Sequence, residues 1–135
     1  MGLISTIEYQ GALRTSPKHI ASGQEITTDA PVDNNGKGEA FSPTDLLATS
    51  LGACALTVMG IRANQEGFDL EDCTATVNKV MAADPRRVSE VHINVSLAAN
   101  CQAKMQKILE GIGKNCPVSK SLHPDLKQIF NFEWK

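Results

Sequence analysis

Two cysteines, Cys54 and Cys116, have the sequence surroundings that best suit chemistry. Cys116 directly precedes Pro117, and proline is favoured at the first position of a helix, so Cys116 is predicted to cap a short helix. Unpaired backbone N–H groups at such an end favour an anion, and a thiolate placed there has a lowered pKa and is more reactive. Ser119 is within reach as a further hydrogen-bond donor. The alternative, a small apolar residue packed between two helices, stays open at this point.

Cys54 lies in the middle of a predicted helix, on its apolar face. Free cysteine is among the most buried residue types, so packing alone would account for it. Cys73 and Cys101 stand at a predicted strand start and helix start, and we interpret both as structural. No CxxC pair occurs, and no cysteine has a histidine at metal-finger spacing, so the spacing does not favour a metal site.

The pattern of apolar residues predicts an α+β chain. The most distinct element is a helix over 43–65, with Ser42 as N-cap, Pro43 at the first position and Gly67 as the stop. Strands over 71–82 and 87–98 are predicted to pair as a hairpin. The other predicted elements are strands over 3–10, 19–28 and 127–134, a helix over 101–114, a short helix over 117–122, turns at Gly11 and at 15–17, and an irregular loop over 32–39.

Composition narrows the class of protein. The chain has 135 residues, which fits a single domain over 1–135, and its net charge of −2 is spread without a basic run, so nucleic acid is not an expected partner. Aromatic residues make up only 4%, so the core is modest, and burial of more surface between subunits would help. The first residues do not resemble a signal peptide, and no apolar stretch is predicted to span a membrane; we expect a cytoplasmic protein.

Two motifs resemble the OsmC/Ohr family. They are FSPTDLLATSLGAC at 41–54, which looks like the family's first-cysteine helix, and NCPVSKSL at 115–122, which looks like its second-cysteine motif. The likeness extends to PRR at 85–87 and TDAP at 28–31, and so covers nearly the whole chain. The resemblance implies an OsmC-like fold, in which two central helices pack against antiparallel β-sheets and the subunits interlock as a homodimer.

The resemblance also implies a chemistry. In the family's peroxidases the thiolate equivalent to Cys54 attacks an organic hydroperoxide, and the thiol equivalent to Cys116 condenses with the resulting sulfenic acid to form a disulfide. No bound cofactor is implied; an external dithiol reductant, such as dihydrolipoyl groups, restores both thiols. The family places an Arg beside the thiolate, held by a Glu. Here Arg14 is the candidate cation, although a solvated turn charge is an equal reading, and Asp45 or Thr44 stands at the Glu position.

Two functions of different classes follow from this sequence. The first is an enzyme that reduces organic hydroperoxides in oxidative-stress defence, with Cys54 as the peroxidatic and Cys116 as the resolving thiol. The second is a non-catalytic module on the same scaffold, which holds a small ligand while Cys54 serves only as packing. The reactivity of the Cys54 and Cys116 pair distinguishes them, because a binding module needs neither thiol to react.

Overall fold

A computed structural model describes all residues from Met1 to Lys135 and has an α+β architecture. The chain divides into two compact units, Met1–Leu46 and Leu47–Lys135, and each contains a three-stranded sheet. The strands and helices, in chain order, are β1 (Ser5–Gly11), β2 (Arg14–His19), β3 (Thr28–Asp29), α1 (Pro43–Gln65), β4 (Thr74–Ala82), β5 (Arg87–Leu97), α2 (Ala103–Lys114), α3 (Pro117–Ser121) and β6 (Lys127–Trp134).

The first unit is built on an antiparallel hairpin of β1 and β2. Its turn is tight, because Gly11, Ala12 and Leu13 all adopt positive φ angles, of 81°, 52° and 64°. The chain therefore resumes as a strand at Arg14, and the predicted turn at 15–17 and strand over 19–28 are both wrong. Beyond β2, only the two-residue β3 returns to the sheet.

The helix predicted over 43–65 is confirmed as α1, and both of its ends have a physical cause. At the start, the Asp45 N–H donates to Ser42 Oγ at 3.0 Å and the Ser42 N–H donates to Asp45 Oδ2 at 2.9 Å, which forms a capping box. At the end, Gly67 has a φ of 87° and the Phe68 N–H donates to the Ala63 carbonyl at 3.0 Å, as in a Schellman motif.

The apolar length of α1 corrects one prediction. By length and composition alone this helix could cross a membrane, whereas no such stretch was predicted from the sequence. The core helix of a globular protein meets the same criterion. In the second unit, Leu51, Ala55 and Met59 of α1 are fully buried in the hydrophobic core.

The second sheet carries the predicted hairpin and one unexpected strand. β4 and β5 pair antiparallel, with Thr74 opposite Ser96, which confirms the hairpin. β6 pairs with β5 in parallel, so the expectation of purely antiparallel sheets is wrong for this strand. The reason is the crossover: a parallel neighbour requires a long connection, and α2 and α3 provide it between β5 and β6.

Close approach of α1 to the sheet and to α2 depends on small residues. A Cβ on Gly52 would lie 3.1 Å from Val77 Cγ2, and a Cβ on Gly113 would lie 2.8 Å from Met59 Sδ. The core between these elements contains fully buried Leu51, Met59 and Ile93. Burying an aliphatic side chain of this size stabilises a fold by about 1.5–3 kcal/mol. The packing fixes the positions of α1 and of the chain that follows α2, on which Cys54 and Cys116 lie.

Candidate thiol site

The structure brings Cys54 and Cys116 together. Cys54 lies half-buried on α1, and Cys116, with 1% exposure, occupies the N-cap position before α3. Cys54 packs against the core cluster that contains Cys116 and lies near enough to raise the pKa of that thiol, although the two residues are far apart in the sequence. Neither cysteine forms a disulfide. The packing of α1 against the second sheet and α2 is what makes this pair, and sequence spacing alone did not establish it.

Cys116 occupies the start of α3. The predicted N-cap position is confirmed, with Cys116 at φ −66° and ψ 163° and Pro117 directly after it, although its side chain forms no cap hydrogen bond. The backbone N–H groups of Ser119 and Val118 act to lower the pKa of the Cys116 thiol. Cys116 therefore lies where the sequence predicted, at the N-terminal end of α3.

The net direction of the Cys116 pKa corrects a prediction. Burial raises the pKa of the Cys116 thiol above its ordinary value, and the neighbouring Cys54 raises it further. These effects exceed the lowering by the two backbone donors, so the lowered pKa expected from the N-cap position alone is wrong. The cause is desolvation, because removal from water disfavours the charged form of a thiol.

Ser119 contributes its backbone, while its hydroxyl faces elsewhere. Ser119 Oγ donates towards the Lys114 carbonyl at 2.8 Å and towards Gln128 Oε1 at 2.5 Å. In return, Gln128 Nε2 donates to the Ser119 carbonyl at 3.0 Å. Sequence reasoning missed Gln128, because only the parallel pairing of β6 with β5 fixes where this side chain lies.

Arg14 belongs to the first unit, where it forms a two-point ion pair with Asp29. Its Nε lies 2.7 Å from Asp29 Oδ1, and its Nη2 lies 2.7 Å from Asp29 Oδ2. Glu39 adds its backbone N–H to Asp29 Oδ2 at 3.1 Å, and its carboxylate lies 3.9 Å from Arg14 Nη2. The hydrogen bond from Arg14 lowers the pKa of Asp29, although burial opposes it, and the same contact raises the pKa of Arg14.

Asp29, rather than Asp45, holds Arg14 by both oxygens. The sequence offers Asp45 or Thr44 for this role, with helix capping as the alternative for Asp45, and the Asp45 carboxylate does accept the Ser42 N–H in the capping box of α1. Asp29 is 1% exposed and lies opposite Arg14 in the register of β2 and β3. The signal that could have found it is the TDAP strand end itself, since a buried carboxylate requires a charged or hydrogen-bonding partner.

Cys73 and Cys101 have simpler surroundings than Cys54 and Cys116. Both are partly buried at the edge of the core, and burial is the cause that raises the pKa of each. No cluster of three or more His, Cys, Asp or Glu side chains is arranged to hold a metal ion. Neither residue therefore shows a feature beyond packing, which agrees with their interpretation as structural.

Comparison with known proteins places this chain in a family. The family model described as "OsmC-like protein" matches residues 36–128, and the chain belongs to that family. A solved structure from Psychrobacter arcticus 273-4, described as a candidate osmotic stress induced and detoxification response protein, is 55% identical, with a TM-score of 0.93 over 98% of this chain and 96% of that one. A search of curated proteins found no match.

More distant structures share the fold. An organic hydroperoxide resistance protein OsmC from Legionella pneumophila is 17% identical, with a TM-score of 0.76 over 98% of both chains. An organic hydroperoxide resistance protein from Elizabethkingia anophelis, with thiocyanate bound, is 14% identical, with a TM-score of 0.76 over 100% of this chain and 99% of that one. At such low sequence identity these structures establish the OsmC-like fold and say nothing about the substrate of this protein.

Proposed function

We propose that this protein reduces organic hydroperoxides in defence against oxidative stress, with Cys54 as the attacking thiol and Cys116 as the resolving thiol. The observation that carries the proposal is the proximity of the two thiols: Cys54 packs against the core cluster that contains Cys116, and it raises the pKa of that thiol. Membership of the OsmC-like family, together with the two cysteine motifs that resemble those of the family's peroxidases, supports the choice of substrate class.

The difference in burial between the two cysteines supports these roles. Cys54 is half-buried and so open to a substrate, whereas Cys116 is almost completely buried. The raised pKa of Cys116 keeps this residue a thiol near neutral pH, and its S–H can donate to the Cys54 sulfur. Cys54 is proposed to attack in its thiolate form, which is the nucleophilic form of a thiol.

The reaction then proceeds in balanced steps. The Cys54 thiolate attacks the terminal peroxide oxygen, the O–O bond breaks, and the alcohol leaves with a proton from solvent, so Cys54 becomes a sulfenic acid. Cys116 next attacks the Cys54 sulfur, the S–O bond breaks, and the departing hydroxide takes the Cys116 proton to form water. An external dithiol, such as a dihydrolipoyl group, reduces the disulfide by exchange. A reducing compartment, for which we propose the cytoplasm, would supply it.

Arg14 is proposed as the cation that favours the Cys54 thiolate. Asp29 occupies its Nε and Nη2 donors, which leaves the remaining Nη1 edge of the guanidinium for another anion. Because the carboxylate contacts hold the planar guanidinium at two points, the free edge has a fixed direction. The role of Arg14 beside Cys54 is what the family resemblance implies, and a comparison with Arg62 tests it.

A homodimer is proposed from the exposed face of α1. Leu47, Ser50, Cys54, Thr57 and Ile61 recur every three or four residues, so they form one stripe along the helix. Leu47 is 38% exposed and Ile61 52% exposed in the single chain, an unusual state for so apolar a helix. A second copy laid on this stripe would bury it and would enclose Cys54 in the dry, apolar surroundings that suit an organic substrate.

The dimer is tested by light scattering after size-exclusion chromatography. We expect the wild-type protein to elute with twice the chain mass of 14.5 kDa. An Ile61→Glu substitution places a charge on the stripe and should yield a monomer, whereas Lys107→Glu on the exposed side of α2 should leave the dimer intact. A wild-type monomer would contradict this part of the proposal.

The enzymatic function is tested by steady-state consumption of cumene hydroperoxide with dihydrolipoamide as the reductant. We expect saturable turnover that favours cumene hydroperoxide over hydrogen peroxide. Turnover no faster than a Cys54→Ser/Cys116→Ser double variant would reject the peroxidase and favour the binding module that the sequence left as the alternative.

A further inference from the structure

Thr57 lies on α1 three residues after Cys54, on the same face of the helix. Side chains three or four residues apart on a helix are neighbours, and each Cα–Cβ bond is tilted towards the helix N-terminus. The Thr57 side chain therefore leans back towards the turn that carries Cys54. Its Oγ1 lies 2.8 Å from the carbonyl oxygen of Ala53, the residue directly before Cys54. This contact fixes the Thr57 hydroxyl on the turn of the half-buried thiol.

The hydrogen bond to Ala53 decides what the Thr57 hydroxyl can do. A carbonyl has no proton to donate, so Thr57 Oγ1 is the donor in this contact. Lone pairs remain on the hydroxyl oxygen, and they can bind only a group that donates a hydrogen bond. Because Thr57 is exposed in the single chain, these lone pairs are open to a ligand that approaches Cys54 along the stripe.

Ser50 is the other hydroxyl-bearing residue of the stripe, and its hydrogen bond has a different direction. It lies four residues before Cys54, and its Oγ donates to the Leu47 carbonyl at 2.7 Å. The Ser50 hydroxyl is therefore directed towards the preceding turn of α1, away from Cys54. Of the two hydroxyl groups, only that of Thr57 is held on the turn of the thiol.

We propose that Thr57 accepts a hydrogen bond from the O–H of the hydroperoxide and so holds its terminal oxygen at the Cys54 sulfur; this inference rests on the proposed function. A hydroperoxide has one O–H group, on the terminal oxygen that the thiolate attacks. As the S–O bond forms and the O–O bond breaks, that proton stays on its oxygen and becomes the sulfenic acid O–H, while the alcohol oxygen takes its proton from solvent. Thr57 thus favours peroxides that have an O–H group, by positioning the reacting atom.

The test measures two reactions of Cys54 in Thr57→Val and in Ser50→Ala. Valine resembles threonine in shape but lacks the hydroxyl, and Ser50→Ala is the matched control because it removes the hydroxyl that is directed away from Cys54. The first reaction is sulfenic acid formation with cumene hydroperoxide, measured by rapid quenching with a dimedone probe. The second is methylthiolation by methyl methanethiosulfonate, a thiol reagent without O–H or N–H groups, measured at Cys54 by peptide mass spectrometry.

We expect Thr57→Val to slow sulfenic acid formation about fivefold, the rate equivalent of one net hydrogen bond, and to leave methylthiolation at the wild-type rate. Thr57→Ser keeps the acceptor and should form the sulfenic acid within about twofold of the wild-type rate. Ser50→Ala should match the wild type in both reactions. If Thr57→Val does not fold, Thr57→Ala replaces it with the same expected result.

Three results would overturn the inference. They are sulfenic acid formation at the wild-type rate in Thr57→Val, equal slowing in Ser50→Ala, and equal slowing of methylthiolation in Thr57→Val, which would indicate a general change at the Cys54 thiol. A wild-type protein that is methylthiolated at Cys54 but forms no sulfenic acid would instead reject the proposed function, and the inference with it. The two reactions of the wild-type protein therefore distinguish the two failures.

Discussion

The four cysteines form two groups that differ in their neighbours. None of the four forms a disulfide, and all lie in the hydrophobic core or pack against it. The pKa of Cys116 responds to Cys54 and to two backbone N–H groups as well as to burial, whereas burial alone raises the pKa of Cys73 and of Cys101. Thiol chemistry in this protein is therefore expected at Cys54 and Cys116, which have each other as neighbours. Cys73 and Cys101, which are perturbed by burial alone, are expected to be inert.

The largest effect should follow removal of the attacking thiol. We expect Cys54→Ser to reduce hydroperoxide consumption to the background rate, because a serine hydroxyl is not ionised near neutral pH and cannot replace a thiolate. Cys73→Ser and Cys101→Ser, assayed in the same way with dihydrolipoamide, should retain activity within about twofold, as surface and edge substitutions commonly act mainly on stability. Loss of activity in Cys73→Ser or Cys101→Ser would contradict the division of the four cysteines into a reactive and an inert group.

Removal of the resolving thiol should separate the first turnover from later ones. A Cys116→Ser variant should still form a Cys54 sulfenic acid with one equivalent of hydroperoxide, because Cys54 remains. Without the second thiol, excess hydroperoxide should carry Cys54 on to sulfinic and sulfonic acid. Intact-mass spectrometry checks this as mass gains of two and three oxygens, and unchanged protection of Cys54 from overoxidation would contradict the resolving role.

The arginine prediction asks whether a cation from the first unit serves Cys54. We expect Arg14→Gln to slow formation of the Cys54 sulfenic acid by about tenfold or more, since a cation held beside the reacting atoms stabilises the charge in the transition state. Arg62→Gln is the matched control, because Arg62 forms an ordinary surface pair with Glu66 at 2.8 Å on α1. Stopped-flow measurement of sulfenic acid formation tests this prediction. Equal rates in Arg14→Gln and Arg62→Gln would contradict a role for Arg14 at Cys54.

Asp29→Asn refines the same experiment. It keeps Arg14 but weakens the two-point contact, so we expect a smaller slowing than with Arg14→Gln. The lowered pKa of Asp29 means that its pairing stabilises the fold above the ordinary pKa of a carboxyl and that this stabilisation is lost as the pH falls through the folded-state value. Thermal unfolding across acidic pH should accordingly show a flatter pH dependence for Asp29→Asn.

The smallest effect concerns the titration of Cys116 itself. Cys54 raises the pKa of Cys116 by hydrogen bonding and by charge, so Cys54→Ala should lower that pKa and leave more thiolate at any given pH. We expect alkylation of Cys116 by iodoacetamide to become severalfold faster at pH 8, with each pKa unit equal to a tenfold change in the equilibrium. Peptide mass spectrometry should show unchanged rates at Cys73 and Cys101.

Local signals in the sequence predicted most of the second unit correctly. The Ser42 cap and the Gly67 stop define α1, and Pro117 defines the start of α3 with Cys116 before it. These features depend on a few neighbouring residues, so they can be read from one sequence. The family motifs then supplied the pairing of the two cysteines, which no local pattern contains.

The failures arose where distant contacts decide the structure. The hairpin turn at Gly11–Leu13 depends on three residues with positive φ, two of them not glycine, and so displaced β2 from its predicted range. Asp29 and Gln128 were missed because their partners, Arg14 and Ser119, are fixed by strand pairing and by the parallel addition of β6. The direction of the Cys116 pKa shift was predicted wrongly for the same reason, since burial is a property of the folded chain.

The central claim is that Cys54 and Cys116 react as a pair, and mapping of the oxidation product tests it most directly. The reduced protein is treated with one equivalent of cumene hydroperoxide, its free thiols are counted, and any disulfide is located by mass spectrometry. We predict rapid loss of two of the four thiols and a single Cys54–Cys116 bond. Four thiols that stay reduced under excess hydroperoxide, or a bond that includes Cys73 or Cys101, would contradict the account.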